Sequence, residues 1–214
     1  MTFQKLAVPI LLLAGVAGCA KTGDIDVSQG VGITAVRSAC PVVGVPAGTG
    51  DVTLFDGASR DARAIDTTAT ISNVRSECSE SGDDVVTRVT FDVRARRTAT
   101  GPAREVVLPY FVAITRGGGQ VAAKRVGQVA LRFEAGQPIA TSSAEATSVV
   151  SRALATLPQD VREKLTRRRK AGDQDAAVDP LATPEVRAAV LAASFEALVG
   201  FQLTQDQLKY NATR

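Results

Sequence analysis

The chain has 214 residues, of which 45% are hydrophobic and 22% charged, and a net charge of +3. This composition fits one folded domain with an appendage, or two small domains, with enough apolar residues for a core. The near-neutral charge argues against a concentrated basic surface for nucleic acid, and 4% aromatics with no Trp argue against base-stacking or sugar-binding aromatic shelves.

Histidine is absent. A Ser-His-Asp or Cys-His nucleophile pair and an imidazole metal ligand are therefore excluded. Three cysteines are too few for a four-thiolate zinc site. Carboxylate-only or Ser-Lys chemistry stays open, but no motif for it stands out, and no catalytic residue, metal site or cofactor is assigned.

At the N-terminus, Lys5 gives a short segment one positive charge, and residues 6–13 form an apolar run. Ala14, Gly15, Ala17 and Gly18 follow. The run is far shorter than the ~20 residues that span a bilayer. Pro9 and the glycines disfavour a core helix, and the pattern is that of a secretory signal. The stretch ends on Val16-Ala17-Gly18-Cys19, an aliphatic residue and two small ones before a cysteine. These four residues resemble the lipobox of bacterial lipoproteins. The resemblance covers only the chain up to Cys19. It implies cleavage before Cys19 and acylation there, with residues 1–18 as signal peptide and the lipid bilayer as a partner. One acyl chain binds only marginally, whereas two or more anchor firmly. Ala20, rather than Asp, after the cysteine implies the periplasmic face of the outer membrane, with a Gram-positive surface lipoprotein as the alternative.

With Cys19 lipidated, Cys40 and Cys78 remain. Two spare cysteines in an exported chain are candidates for one disulfide, the alternative being two separate buried thiols. No C-x-x-C spacing supports a redox-active pair.

Residues 19–39 read as a lipidated tether with a first short strand at 31–36. From 40 to 135 the signal is β. Two apolar runs, 42–45 and 52–55, flank Pro46 and glycines, and a β-branched stretch leads up to Cys78. A turn at 79–84 precedes the clearest strand. There Val85, Val89, Phe91, Val93 and Ala95 alternate with Arg88, Thr90, Asp92, Arg94 and Arg96, one face in the core and one in water. Residues 104–116 are apolar on both faces and read as a central strand, with Pro109 at a bulge or a position lacking a ladder bond. Gly117, Gly118 and Gly119 read as a hairpin loop, and Val129, Leu131 and Phe133 as inward-facing. Roughly six to eight short strands separated by turns favour an antiparallel β-sandwich of immunoglobulin or fibronectin-III architecture, though the Cys-Trp-Cys signature is absent.

Residues 142–214 read as a small helical segment, so the fold class is mainly β with C-terminal α. Ser142 and Glu145 suggest a capping box. A second helix would run to Gly172. Thr183-Pro184-Glu185 starts a third, stopped by Gly200, and Thr204 with Gln207 caps a last one. The cations Arg167 to Lys170 read as a solvated helix end. The apolar stretch 186–203 reads as a packed helix or, more sharply, as a groove-binding helix for an envelope protein, presenting Val186, Val190, Phe195, Leu198 and Phe201. The expected function is a membrane-anchored envelope lipoprotein with a non-catalytic structural or protein-interaction role. An accessory factor in outer-membrane assembly, docking through the C-terminal helices, is the alternative, and an enzyme the third.

Overall fold

The computed structural model describes residues 38–170 and 172–213. The expected signal peptide, Cys19 and the expected first strand at 31–36 lie outside them. Among the described residues eight strands form two four-stranded sheets. In chain order they are β1 (Val42–Gly44), β2 (Asp51–Phe55), β3 (Ile65–Ser81), β4 (Asp84–Arg97), β5 (Arg104–Arg116), β6 (Gln120–Phe133), β7 (Ile139–Ser151) and β8 (Phe195–Phe201). One sheet has the order β1-β8-β5-β6 and the other β2-β3-β4-β7. All pairings are antiparallel except that of β1 with β8.

The alternation in β4 does what its period dictates. Val85, Val89, Phe91, Val93 and Ala95 are buried, and so is Thr87. Phe91 and Val93 join Leu108, Tyr110, Leu131 and Phe133 of the other sheet in one apolar cluster, so the two sheets share a core. β5 is apolar on both faces because it lies inside its sheet, flanked by β8 and β6. Pro109 stands one residue outside the β8 ladder, which begins at Tyr110, and its carbonyl accepts from the Gln202 amide. Its missing N–H therefore interrupts no pairing on that side. The irregularity in β5 falls instead between Ile114 and Thr115.

The C-terminal third departs from the helical expectation. Residues 139–151, with the expected capping pair Ser142 and Glu145, form β7, fully paired with β4. Its inward positions are Ala140, Ser142, Ala144, Ala146, Ser148 and Val150, opposite a face that is mainly Thr, Ser and Glu. Small residues on the buried face flatten the hydrophobic oscillation that marks a strand. The third helix is likewise shorter than expected. It covers Pro184–Ala192, and the chain from Phe195 becomes β8, inserted between β1 and β5. An apolar run with Ala at many positions has no period that separates a helix from a central strand. The sheets thus draw strands from both sides of the expected division at 135–142.

The helices that do form are short. They are α1 (Arg152–Ala155), α2 (Gln159–Thr166), α3 (Pro184–Ala192) and α4 (Gln205–Thr213). Between β7 and β8, α2 and α3 bury Val161, Leu165, Val186 and Val190 in a cluster of their own. At α4 the reciprocal cap is present: the Thr204 amide donates to Gln207 Oε1, and the Gln207 amide donates to Thr204 Oγ1.

Candidate interaction site

The open surface of the β1-β8-β5-β6 sheet follows from strand period. Leu108, Tyr110 and Val112 of β5 point into the core, so Val107, Pro109, Phe111, Ala113 and Thr115 point out. Register sets Val126 beside Phe111 and Lys124 beside Ala113 on one flank. On the other it sets Gly200 beside Phe111 and Leu198 beside Ala113. Lys124 Nζ lies 4.9 Å from the Phe111 ring centroid, which puts both side chains on this outer face. Thr115 Oγ1 donates to Glu196 Oε2 at 3.0 Å.

The two flanks differ in cover. On the β8 side the β1–β2 loop folds across the strand. The Thr49 carbonyl accepts from the Phe201 amide, and the Thr49 side chain lies where a Cβ on residue 200 would be. That close approach requires Gly200. On the β6 side Ala113 and Thr115 of β5 are still buried, and the part left uncovered among the described residues is β6 itself. β6 is an edge strand, and residues 120–126 are exposed on both faces, Val121 at 60% and Val126 at 59%. Only from Val129 onward does β6 bury alternate side chains. Gly127 marks the change. It faces Tyr110, whose ring would stand 2.5 Å from a Cβ at that position.

Charge on this edge is one-sided. Lys124 and Arg125 are adjacent, and neither takes part in a salt bridge among the described residues. Residues 117–128 contain no acid.

A second concavity, of about 260 Å³, lies where the α2–α3 insert meets the ends of β3 and β7. Arg152 Nε and Glu80 Oε2 approach to 3.5 Å across it, and Leu157 and Leu165 line it. It is a mixed polar and apolar joint with the Arg152–Glu80 pair in its lining.

Asp92 is the most perturbed carboxylate on the opposite sheet. It accepts from Asn73 Nδ2 at 2.6 Å and Ser143 Oγ at 2.7 Å. These donors, Asn73 first, and the nearby charge of Arg75 hold its pKa below the ordinary 3.8. A carboxylate fixed in its ionised form bridges strands and does not serve as a proton donor. At Asp175 burial opposes ionisation, but the Arg169 hydrogen bond and the Arg167 charge outweigh it, and the pKa is again lowered. Arg169 is buried at this contact, so the cationic run is not uniformly a solvated helix end.

The structure separates the residues named as a partner-binding helix. Val186 and Val190 lie in the helical cluster, whereas Phe195 and Phe201 are buried in the β cores. Leu198 is half-buried on the outer face of β8. No single helix presents them, because the chain switches from helix to strand at Ala193 and Ser194. Cys40 and Cys78 form a disulfide. Among the described residues no group of three or more His, Cys, Asp or Glu could hold a metal, and no helix is long and apolar enough to cross a membrane. The β6 edge escaped the sequence reading because a strand's place in a sheet is set by partners far along the chain. The adjacent cations amid the apolar run 121–126 were its one visible sign.

No protein-family description, curated protein or solved structure matches the chain.

Proposed function

We propose that the chain is a lipid-anchored bacterial envelope protein with a non-catalytic, protein-interaction role. Acylated Cys19 would hold it at the membrane, at the periplasmic face of the outer membrane. Its two sheets would serve as a sandwich of immunoglobulin or fibronectin-III type, a scaffold for an exposed binding surface. The observation that carries the reading is the Cys40–Cys78 disulfide downstream of Val16-Ala17-Gly18-Cys19. Structural disulfides persist in exported proteins and are rare in reducing cytosol. The same bond suits an anchored domain. Cys40 lies two residues before β1, which has only three residues, and Cys78 lies on β3 of the other sheet. A pull from the tether is thereby passed to both sheets and does not fall on a three-residue strand alone.

The test is metabolic labelling with a tagged fatty acid, followed by membrane fractionation. The wild-type chain takes the label and sediments with membranes, and Cys19→Ala abolishes both. Label that persists in Cys19→Ala, or a wild-type chain that is unlabelled and soluble, overturns the anchor.

A further inference from the structure

We infer that the free edge of β6, residues 120–128, is a strand-addition site for an extended acidic segment of another envelope protein. Three observations converge on it. Among the described residues no strand pairs with the outer edge of β6, over a stretch exposed on both faces and without cover from the β2-β3-β4-β7 sheet. Between Gln120 and Gln128 it is apolar apart from its charges, with Val121, Ala122, Ala123 and Val126 around Lys124 and Arg125. It continues the outer face formed by Phe111, Val107 and Leu198. Such an edge recruits strands unless it is guarded, and the guard here is the Lys124–Arg125 pair, which turns away neutral and basic strands but not an acidic one.

The charge chooses the occupant. A second copy of β6 added antiparallel about the middle of the stretch would set Lys124 and Arg125 against the same pair, and like charges directly opposite destabilise a ladder. An acidic strand meets the reverse situation. Successive side chains alternate faces, so Lys124 and Arg125 stand on opposite faces of the sheet. A complementary segment therefore carries two consecutive carboxylates between apolar or β-branched residues. Main-chain bonds would give the affinity and the two carboxylates the selection and register. The inference rests on the interaction role proposed above, but it does not depend on lipid at Cys19.

The experiment uses the full-length protein in detergent micelles at low ionic strength. Two end-capped synthetic peptides are titrated, Thr-Val-Val-Glu-Glu-Val-Val-Thr and its counterpart with Lys-Lys at the centre. Amide hydrogen exchange is read by mass spectrometry. The Glu peptide is expected to protect residues 120–128 and to bind roughly tenfold more tightly than the Lys peptide. The double variant K124E/R125E should reverse that preference. Its substitutions lie on an exposed edge, and should the variant fail to fold, the wild-type contrast between the two peptides decides alone. Equal binding of both peptides, protection confined to other strands, or no protection by the Glu peptide overturns the proposal. So does a wild-type dimer whose 120–128 amides are already protected without peptide. None of these outcomes touches the fatty-acid result, so the two readings fail separately.

Discussion

Arg97 is the residue on which two loops depend. It ends β4 at an inward position, where the alternation asks for an apolar side chain, and it is 2% exposed. Its guanidinium nonetheless makes four hydrogen bonds. Nε donates to the Gln137 carbonyl, Nη1 to that of Pro102, and Nη2 to those of Gly101 and Glu134. Its plane lies near the Phe133 ring, 5.3 Å from the centroid. A buried charge without such partners would be prohibitive, and the fork geometry of Arg is what reaches carbonyls from two loops at once. Arg97→Met keeps the bulk against Phe133 but removes the side-chain donor from four carbonyls, of which those of Gly101 and Glu134 still accept from the Gly136 and Gln137 amides. It should lose about 3 kcal/mol in chemical denaturation, since hydrogen bonds to charged groups are individually strong. Arg97→Lys should lose nearly as much, because a single ammonium cannot span both loops. Wild-type stability in either variant would show that the loops hold themselves.

Elements in this fold are joined by side chains as well as by ladders, and the β3 bulge is the clearest instance. The register slips between Ser72 and Arg75, and Asn73 takes a left-handed φ of 54°. Asn tolerates that conformation better than most residues. Its amide then reaches Asp92 on β4, which also accepts from Ser143 on β7, so one carboxylate ties three strands. Because the folded pKa is depressed, the stabilising contribution is complete above 3.8, the ordinary value, and is lost as pH falls through the lower folded pKa. Asn73→Gly keeps the backbone conformation and removes the strongest donor. The Asp92 carboxyl, followed by NMR titration, should then titrate at higher pH, closer to 3.8; an unchanged titration would assign the shift to Ser143 and Arg75 instead. Legibility in the sequence follows the same division between local and distant causes. The alternation in β4, the Gly117–Gly119 turn and the Thr204/Gln207 cap are set by neighbours along the chain, and the sequence reading located each of them. β7 and β8 are strands because β4 and β5 offer them a ladder. Their own patterns, Ala and Ser on one face of β7 and apolar residues on both faces of β8, carry no period that separates strand from helix. The candidate site suffered most, since the exposed edge of β6 exists only once the strand order is known.

For the whole molecule, the disulfide decides how the first described segment is held. β1 meets β8 through three residues, and that short parallel pairing is its only ladder among the described residues. The residues around it, Ala39 and Val43, pack with Val74 and Cys78 against the upper core of Val85, Val89, Ile114 and Phe195. The Cys40–Cys78 bond closes this corner, joining a segment of one sheet to a strand of the other across a separation of 38 residues. By chain entropy such a closure is worth about 4 kcal/mol, a large part of the stability of a domain this size. The double variant Cys40→Ala/Cys78→Ala should therefore unfold at markedly lower denaturant. Its effect should also be uneven in space. Amide exchange in residues 38–44 and at the exposed end of β3 should rise far more than in β4 or β5, whose ladders lie inside their sheets and do not involve the bond. Uniform loss of protection would mean that the corner and the sheets open as one cooperative unit. A variant as stable as the wild type would mean that the unfolded chain already keeps these ends together.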